Sequence, residues 1–377
     1  MIALDREPSS PGFRYADRRA IVSTEDESGI ERLAGAERVG GLIAPGIDWP
    51  VAIAARVAQR LSLPHPISPE TAMLSTSKLR QRERFAEASV PQPAYEVCSG
   101  ASEAGEAAAR IGFPCVVKAP DRQGQRGLTL VRSADEMQDA VRTALAASRS
   151  ATLLVEQHVA GREVTVNAFS TRGHFQPLTI TDRLTAPLPG FGVALTHVWP
   201  SELEPADIGA VVEAAAAAAR AVGIENGPSY TQVLVGPDGP RVGELAARLG
   251  GGHDAELCRV ALGVDLNGAA ISAALGEEVV PTALAPVARV GGACVRFLVA
   301  PPGELREVTG MEEAFAEDGI RGIRIYRRPG HRFGELRRGA DRAGAILAVG
   351  ESREEALDRA ARAEAMIRFE VDVEALV

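Results

Sequence analysis

The chain has 377 residues, 46% hydrophobic and 24% charged, with a net charge of −9 and a pI near 5.4. That length holds two or three packed units. The acidic balance excludes a general nucleic-acid or anionic-membrane binder, which needs a basic face, but not a phosphate ligand, which needs only a few local cations. No apolar run approaches membrane-spanning length. Residues 1–20 are charged throughout and lack a signal-peptide core. Cys98, Cys115, Cys258 and Cys294 show no C-x-x-C spacing, so reduced, packed thiols of a cytoplasmic protein are expected.

In chain order, residues 2–4 read as a short strand ending at Asp5 and residues 21–22 as the next. Ser28 with Glu31 forms a capping box for a helix over 28–35. Residues 42–44 read as a strand and 51–61 as an amphipathic helix. A doubly wound domain normally opens with a strand–helix unit and a glycine-rich turn, and none precedes Ile2. From Met73 a helix is expected to run through Lys78 to Ala88, stopped by Val90-Pro91-Gln92-Pro93. A helix over 102–111, a strand over 115–118, a polar glycine loop over 120–127 and a strand over 128–131 follow. Ser133 and Glu136 then open a helix, and residues 153–155 read as a strand.

Residues 164–169 alternate as a strand, 176–200 read as strand and loop, and the alanine-rich run 213–221 as a helix. Residues 230–235 and 241–245 flank Gly236-Pro237-Asp238-Gly239 as a hairpin. Gly250 to Gly252 open a helix ending near Leu262. After a Pro/Ala-rich joint at 281–287, strands at 293–299 and 320–326 and a helix at 352–367, capped by Ser352 and Glu355, suggest an α+β module.

Few residues here suit chemistry. Lys118 ends an apolar strand, where a charge normally needs a partner; it reads either as a snorkelling lysine or as a phosphate clamp. The adjacent loop, 121–127, has glycines that let backbone N–H groups converge on an anion, with arginines to add charge. Glu156 and Glu163, on a hinge between two units, suit the adenine side and the ribose of a nucleotide. A three-residue hairpin loop, 237–239, would set Gln232 opposite Glu244, with Val242, Glu244 and Ala246 on one face and Arg248 just beyond; a two-residue loop would lose that facing. Glu244 is then either a magnesium ligand or half of a structural Glu244–Arg248 pair.

Taken in order, these pieces resemble the ATP-grasp superfamily. The pieces are Lys78 ahead of Val90-Pro91-Gln92-Pro93, then Phe113-Pro114-Cys115-Val116-Val117-Lys118, then the loop 121–127. Leu154-Val155-Glu156-Gln157-His158-Val159-Ala160-Gly161-Arg162-Glu163, Gly223-Ile224-Glu225-Asn226-Gly227-Pro228 and Glu244-Leu245-Ala246-Ala247-Arg248-Leu249-Gly250-Gly251 complete the set. Residues 5–17 resemble the second strand of the preceding domain, and 288–370 are similar to the C-terminal part of L-amino-acid ligases and their biotin-carboxylase-like relatives.

The resemblance implies an α/β (α+β) ATP-grasp fold. Residues 1–72 would be a truncated Rossmann-like pre-ATP-grasp domain, 73–280 the ATP-grasp domain with its lid at about 95–155, and 288–377 a ligase-like C-terminal module. It also implies that Lys78 and Lys118 hold ATP phosphates beneath a lid containing Gly124, Gln125, Arg126 and Gly127. Gln157, His158 and Val159 would present backbone to adenine beside Glu156, and Glu163 would take the ribose. Glu244, with Gln232, would bind Mg²⁺, and Arg248 would stabilise the acyl phosphate and its tetrahedral adduct. Two positions depart from the common pattern: Gln232 stands where a metal carboxylate is expected and Tyr230 where histidine is common.

The implied activity is an ADP-forming carboxylate–amine ligase with ATP and Mg²⁺ as cofactors and amino acids as substrates, with homodimerisation allowed. Specificity is expected in the loops 183–200 and 249–256. Two other readings stand beside it: an ATP-grasp carboxylase or formate-type transferase, and a non-catalytic nucleotide-binding homologue. No biotin-attachment motif follows the C-terminal module, which weighs against the carboxylase.

Overall fold

A computed structural model describes residues 1–372. At the N-terminus, β1 (Ile2–Asp5) and β2 (Arg18–Ile21) pair in parallel. Two helices follow, α1 (Glu27–Glu37) and α2 (Asp48–Arg60). The cap of α1 is Asp26 rather than Ser28: the Asp26 carboxylate reaches the Gly29 N–H at 2.9 Å and so satisfies a first-turn donor. Residues 42–44 join no ladder. Leu42 packs with Ile30, Ile53 and Val57, and Ala44 with Val51 and Ala52, so the apolar character there serves helix packing.

The helix expected from Met73 to Ala88 is two helices, α3 (Pro69–Thr76) and α4 (Lys78–Glu87). Ser77 is extended at φ −118°, ψ 113°, and its hydroxyl accepts from the Arg80 N–H, so it starts a helix rather than continuing one. The break turns Lys78 toward the lid.

Where the lid is expected, a small unit comprises β3 (Tyr95–Cys98), α5 (Ala101–Ile111), β4 (Cys115–Lys118), β5 (Leu128–Val131), α6 (Met137–Ala147) and β6 (Leu153–Gln157). Its strands form an antiparallel sheet in the order β3-β6-β4-β5. Alanines of α5 and α6 pack on Cys98, Cys115, Val117 and Val155. Ser133 does not cap a helix; a 3-10 turn over Ala134–Glu136 precedes α6, and the Glu136 carboxylate accepts from the Arg132 N–H at 2.8 Å.

The remaining chain runs β7 (Arg162–Thr171), β8 (His174–Thr185), β9 (Ala194–Trp199), α7 (Pro205–Val222), β10 (Gly227–Gly236), β11 (Gly239–Ala246), α8 (Asp254–Leu262) and α9 (Leu266–Ala274). After the joint come β12 (Gly292–Leu298), β13 (Gly303–Thr309), α10 (Met311–Ala316), β14 (Ile320–Ile325), β15 (Arg332–Phe333), β16 (Gly344–Gly350), α11 (Arg353–Met366) and β17 (Arg368–Asp372). One antiparallel sheet, β11-β10-β7-β8-β9-β12-β16-β14, unites strands from both sides of the joint. The β9–β12 ladder, with Val295 opposite His197, makes that union. A small sheet, β15-β13-β17, sits beside it. All four cysteines are buried and free. Among the described residues no single helix is long and apolar enough to cross a membrane.

Candidate active site

A cavity of about 720 Å³ lies between the lid sheet and the β11-β10-β7-β8 end of the large sheet. Lys118 sits at the end of β4, where the strand's pairing leaves its side chain on the cavity wall. Its Nζ donates to Glu156 Oε2 at 2.7 Å, and Arg82 of α4 donates to the same carboxylate from Nε at 2.8 Å. Arg82 is 1% exposed, and its remaining nitrogens donate to Gln92 Oε1 at 3.2 Å, Val242 O at 2.9 Å and Gly243 O at 2.6 Å. It thus joins α4, β6 and β11 at the floor of the cavity. Burial raises the Glu156 pKa, but Arg82 and Lys118 outweigh it and hold the carboxyl down at about 2. Burial pushes Lys118 down to about 8, an effect that Glu156 offsets only in part.

Both Glu156 oxygens are thus engaged by cations of the protein, Arg82 and Lys118, at the cavity wall. Arg82 was not singled out in the sequence. In the run Lys78-Leu79-Arg80-Gln81-Arg82 nothing local separates the one buried arginine from the surface ones.

The hairpin corrects one expectation. Gly236 pairs with Gly239, so the loop has two residues, yet Gln232 still faces Glu244. A β-bulge at Gly243 supplies the missing step. The bulge also breaks the alternation: Val242 and Leu245 both enter the core with Phe85 and Ala218, while Glu244 turns to the cavity. Val242 and Glu244 therefore do not share a face.

Glu244 pairs with Lys78 at 2.9 Å. Lys78 Nζ also donates to Arg122 O at 2.7 Å, which ties α4 to the lid loop. Burial raises the Glu244 pKa, and Lys78 overrides it and holds the carboxyl at about 2. Arg248 makes no hydrogen bond to Glu244. Its Nε donates to Asp48 of α2, and one terminal nitrogen donates to Leu249 O at 2.7 Å. It lines a separate, smaller pocket with Leu42, Pro45 and His65 rather than the main cavity, near enough to Glu244 to feel its charge.

On β7, Glu163 receives hydrogen bonds from Arg183 of β8 and from the Gln232 side-chain amide of β10. Gln157, His158 and Val159 line the cavity, with the His158 ring 6.1 Å from that of Phe191. The Gln157 N–H is already given to Ala94 O at 2.8 Å. In the lid loop, Gly124, Gln125 and Gly127 have φ of +67°, +63° and +70°. At Gly127 a Cβ would lie 2.6 Å from that of Ala147, so only glycine fits. The loop is tethered at both sides: Gln123 accepts from the Asp48 N–H at 2.9 Å, and Gly124 O accepts from the Gly339 N–H at 3.3 Å. Among Gly124, Gln125 and Arg126, all on the cavity lining, only Arg126 brings charge.

Behind the cavity the sheet carries a second polar cluster. Buried Asp254 holds His197 at 3.0 Å and Asn167 at 3.3 Å, and His253 meets the Tyr326 hydroxyl at 2.6 Å. A Cβ at Gly252 would lie 2.4 Å from the His197 ring, which is why the glycine run ends against this histidine.

The comparisons agree with this architecture. The family described as carbamoyl-phosphate synthase L chain, ATP binding domain, matches residues 77–281, more than half of the chain, and the L-amino acid ligase C-terminal domain 2 matches residues 296–372. The uncharacterized protein y4rH of Sinorhizobium fredii is 30% identical over 313 residues, covering 80% of this chain and 62% of that protein. The formate-dependent phosphoribosylglycinamide formyltransferase of Burkholderia pseudomallei is 32% identical over 151 residues, covering 40% of this chain and 37% of that enzyme. The chain thus spans less than two thirds of either relative's length. An L-amino acid ligase from Bacillus licheniformis shares the fold, with a TM-score of 0.81 at 20% identity over 95% of this chain and 88% of that one. By its matched domain, its fold and the order of its cavity residues, the chain belongs to the ATP-grasp superfamily.

Proposed function

We propose that this protein is an ATP-dependent ligase that activates a small carboxylate as an acyl phosphate and passes the acyl group to an amine, with amino acids in both roles. The observation that carries the reading is the pair of lysines on one cavity, Lys118 buried and Lys78 half-buried. Each is held by a carboxylate that can exchange it for a ligand: Lys78 by Glu244 and Lys118 by Glu156. Nucleotide polyphosphate would draw both ammonium groups toward itself. Release of Lys78 frees Glu244, the one cavity carboxylate suited to Mg²⁺, with the Gln232 carbonyl oxygen as a neutral second donor. Magnesium usually takes one or two protein carboxylates plus phosphate oxygens, and this donor set fits one ion. When bound, it neutralises charge on the β- and γ-phosphates.

The residues of the chain do the rest. Lys118 and Lys78 hold the transferring oxygens in line while a substrate carboxylate oxygen bonds to the γ-phosphorus and ADP leaves. The amine nitrogen then bonds to the acyl carbon, the tetrahedral oxyanion collapses with loss of inorganic phosphate, and the nitrogen loses a proton. Arg248, fixed by Asp48, supplies a preorganised cation for that oxyanion. The lid loop over residues 122–126 keeps water from the acyl phosphate.

Phosphate release from ATP in the presence of amino-acid mixtures, set against ATP alone, with mass spectrometry for the amide, tests the reading. Release that depends on two amino acids supports it. The formyltransferase similarity favours a second reading, in which formate is the activated carboxylate. Phosphate release with formate alone, and none with amino acids, would establish that one instead.

A further inference from the structure

Three carboxylates line the cavity from the large sheet, and each already carries a cation of the protein; Asp182 carries Arg353, and the other two flank Gln232. Glu244 carries Lys78, and Glu163 carries Arg183. Between them stands Gln232, opposite Glu244 on one side and one step diagonal from Glu163 on the other. Its amide donates to the same Glu163 oxygen that receives the Arg183 guanidinium. A divalent ion at positions 163 and 232 would need anionic oxygens; it would meet a neutral amide and a carboxylate already bound by a cation.

Arg183 is not a surface arginine caught in a pair. It is 8% exposed and lines the cavity, and one terminal nitrogen is anchored on Gly192 O at 2.9 Å. Its Nε is buried with no hydrogen-bond partner. A buried charged donor left unpaired is costly, and among the described residues this guanidinium is held at the cavity wall by Glu163 and Gly192 O alone.

We propose that the Arg183 guanidinium, paired with Glu163 beside Gln232, is the fixed positive charge that keeps a second divalent metal ion out of the cavity and sets its own charge against the polyphosphate. The site then works with one metal ion, on Glu244. Substituting glutamine for a carboxylate at 232 is in this account a matched change: it removes the charge that would recruit a second ion and leaves an amide that steadies Glu163 against Arg183. Burial opposes the charge on Arg183, but Glu163 outweighs burial and raises its pKa, so it stays cationic throughout the working range.

The inference rests on the nucleotide reading above, and metal counting separates the two. The probe is Mn²⁺ in the presence of a saturating non-hydrolysable ATP analogue, with bound ion per chain measured by electron paramagnetic resonance. Wild type is expected to hold one Mn²⁺ per chain. The double variant Arg183→Met/Gln232→Glu, which removes the guanidinium and restores a carboxylate, should hold two; Arg183→Lys, which keeps the charge, should hold one. Arg183→Met alone should bind the analogue roughly tenfold to a hundredfold more weakly at saturating Mn²⁺. Two ions in wild type would overturn the proposal whether or not any variant folds. A single ion in a folded double variant would overturn it too, since Arg183 would then not be what excludes the second. A wild type that binds no analogue would instead contradict the nucleotide reading itself.

Discussion

Lys118 should make nucleotide binding pH-dependent in a range where ordinary lysines are silent. Its ammonium is buried, and its one carboxylate partner is shared with Arg82, so in the free protein it titrates at about 8. Only the charged form holds phosphate, and bound phosphate raises the pKa again. The apparent dissociation constant for ADP should therefore scale as 1 + 10^(pH − pKa): nearly flat below about pH 7, about twofold weaker near pH 8 and about tenfold weaker near pH 9. The last factor corresponds to about 1.4 kcal/mol. Calorimetric titration with ADP at fixed excess Mg²⁺ across this range reads it directly. Lys118→Arg, whose guanidinium stays charged, should bind without that slope even if it binds more weakly at neutral pH. Constant affinity from pH 7 to 9 in wild type, or an equal slope in Lys118→Arg, would refute the reasoning and leave Lys118 as a structural lysine.

Other outcomes follow from the same geometry. Arg248→Ala should leave ADP affinity within a few fold while lowering turnover by about a hundredfold or more; undiminished turnover would reduce Arg248 to a structural partner of Asp48. Arg82→Met should destabilise the protein by roughly 3–5 kcal/mol in urea denaturation, because it strips a buried carboxylate of one partner and two carbonyls of their donor. An unchanged urea midpoint would contradict that staple. Glu156 and Glu244, held at about 2 against an ordinary 4.5, and Asp254, at about 2 against 3.8, bind fewer protons folded than unfolded. Their stabilisation, on the order of 2–4 kcal/mol each, is present above about pH 4.5 and is lost as pH falls toward 2, so acid titration of circular dichroism should show unfolding in that window.

Much of the site was legible because its residues announce themselves locally. Lys118 ends an apolar strand, the lid loop has its glycines, and the hairpin signals its own turn. What was hidden depends on distant chain. Arg82 takes its meaning from Glu156 and Val242, which lie far along the sequence, and Asp48 finds Arg248 across an even longer gap. Gln232 was placed opposite Glu244 from a three-residue turn, and the structure reaches the same facing through a two-residue turn and a bulge at Gly243. The facing survived because the charged side chain must reach the cavity, whereas the turn and bulge are two local choices that compensate. The break at Ser77 was missed because helix periodicity continues across it; a serine cap followed by a good helix former reads equally as interior or as start. The union of β9 with β12 was out of reach, since pairing across so long a separation leaves no local mark.

The central claim, that a carboxylate is activated by direct phosphorylation, is tested most directly by isotope transfer. With a substrate amino acid labelled with ¹⁸O in its carboxylate, the acyl-phosphate route moves one labelled oxygen into the inorganic phosphate released with each amide, alongside ADP. Phosphate carrying one ¹⁸O, seen by mass spectrometry only when the amine is also present to complete the reaction, is the expected result. Amide formed with unlabelled phosphate, or with AMP in place of ADP, would contradict it.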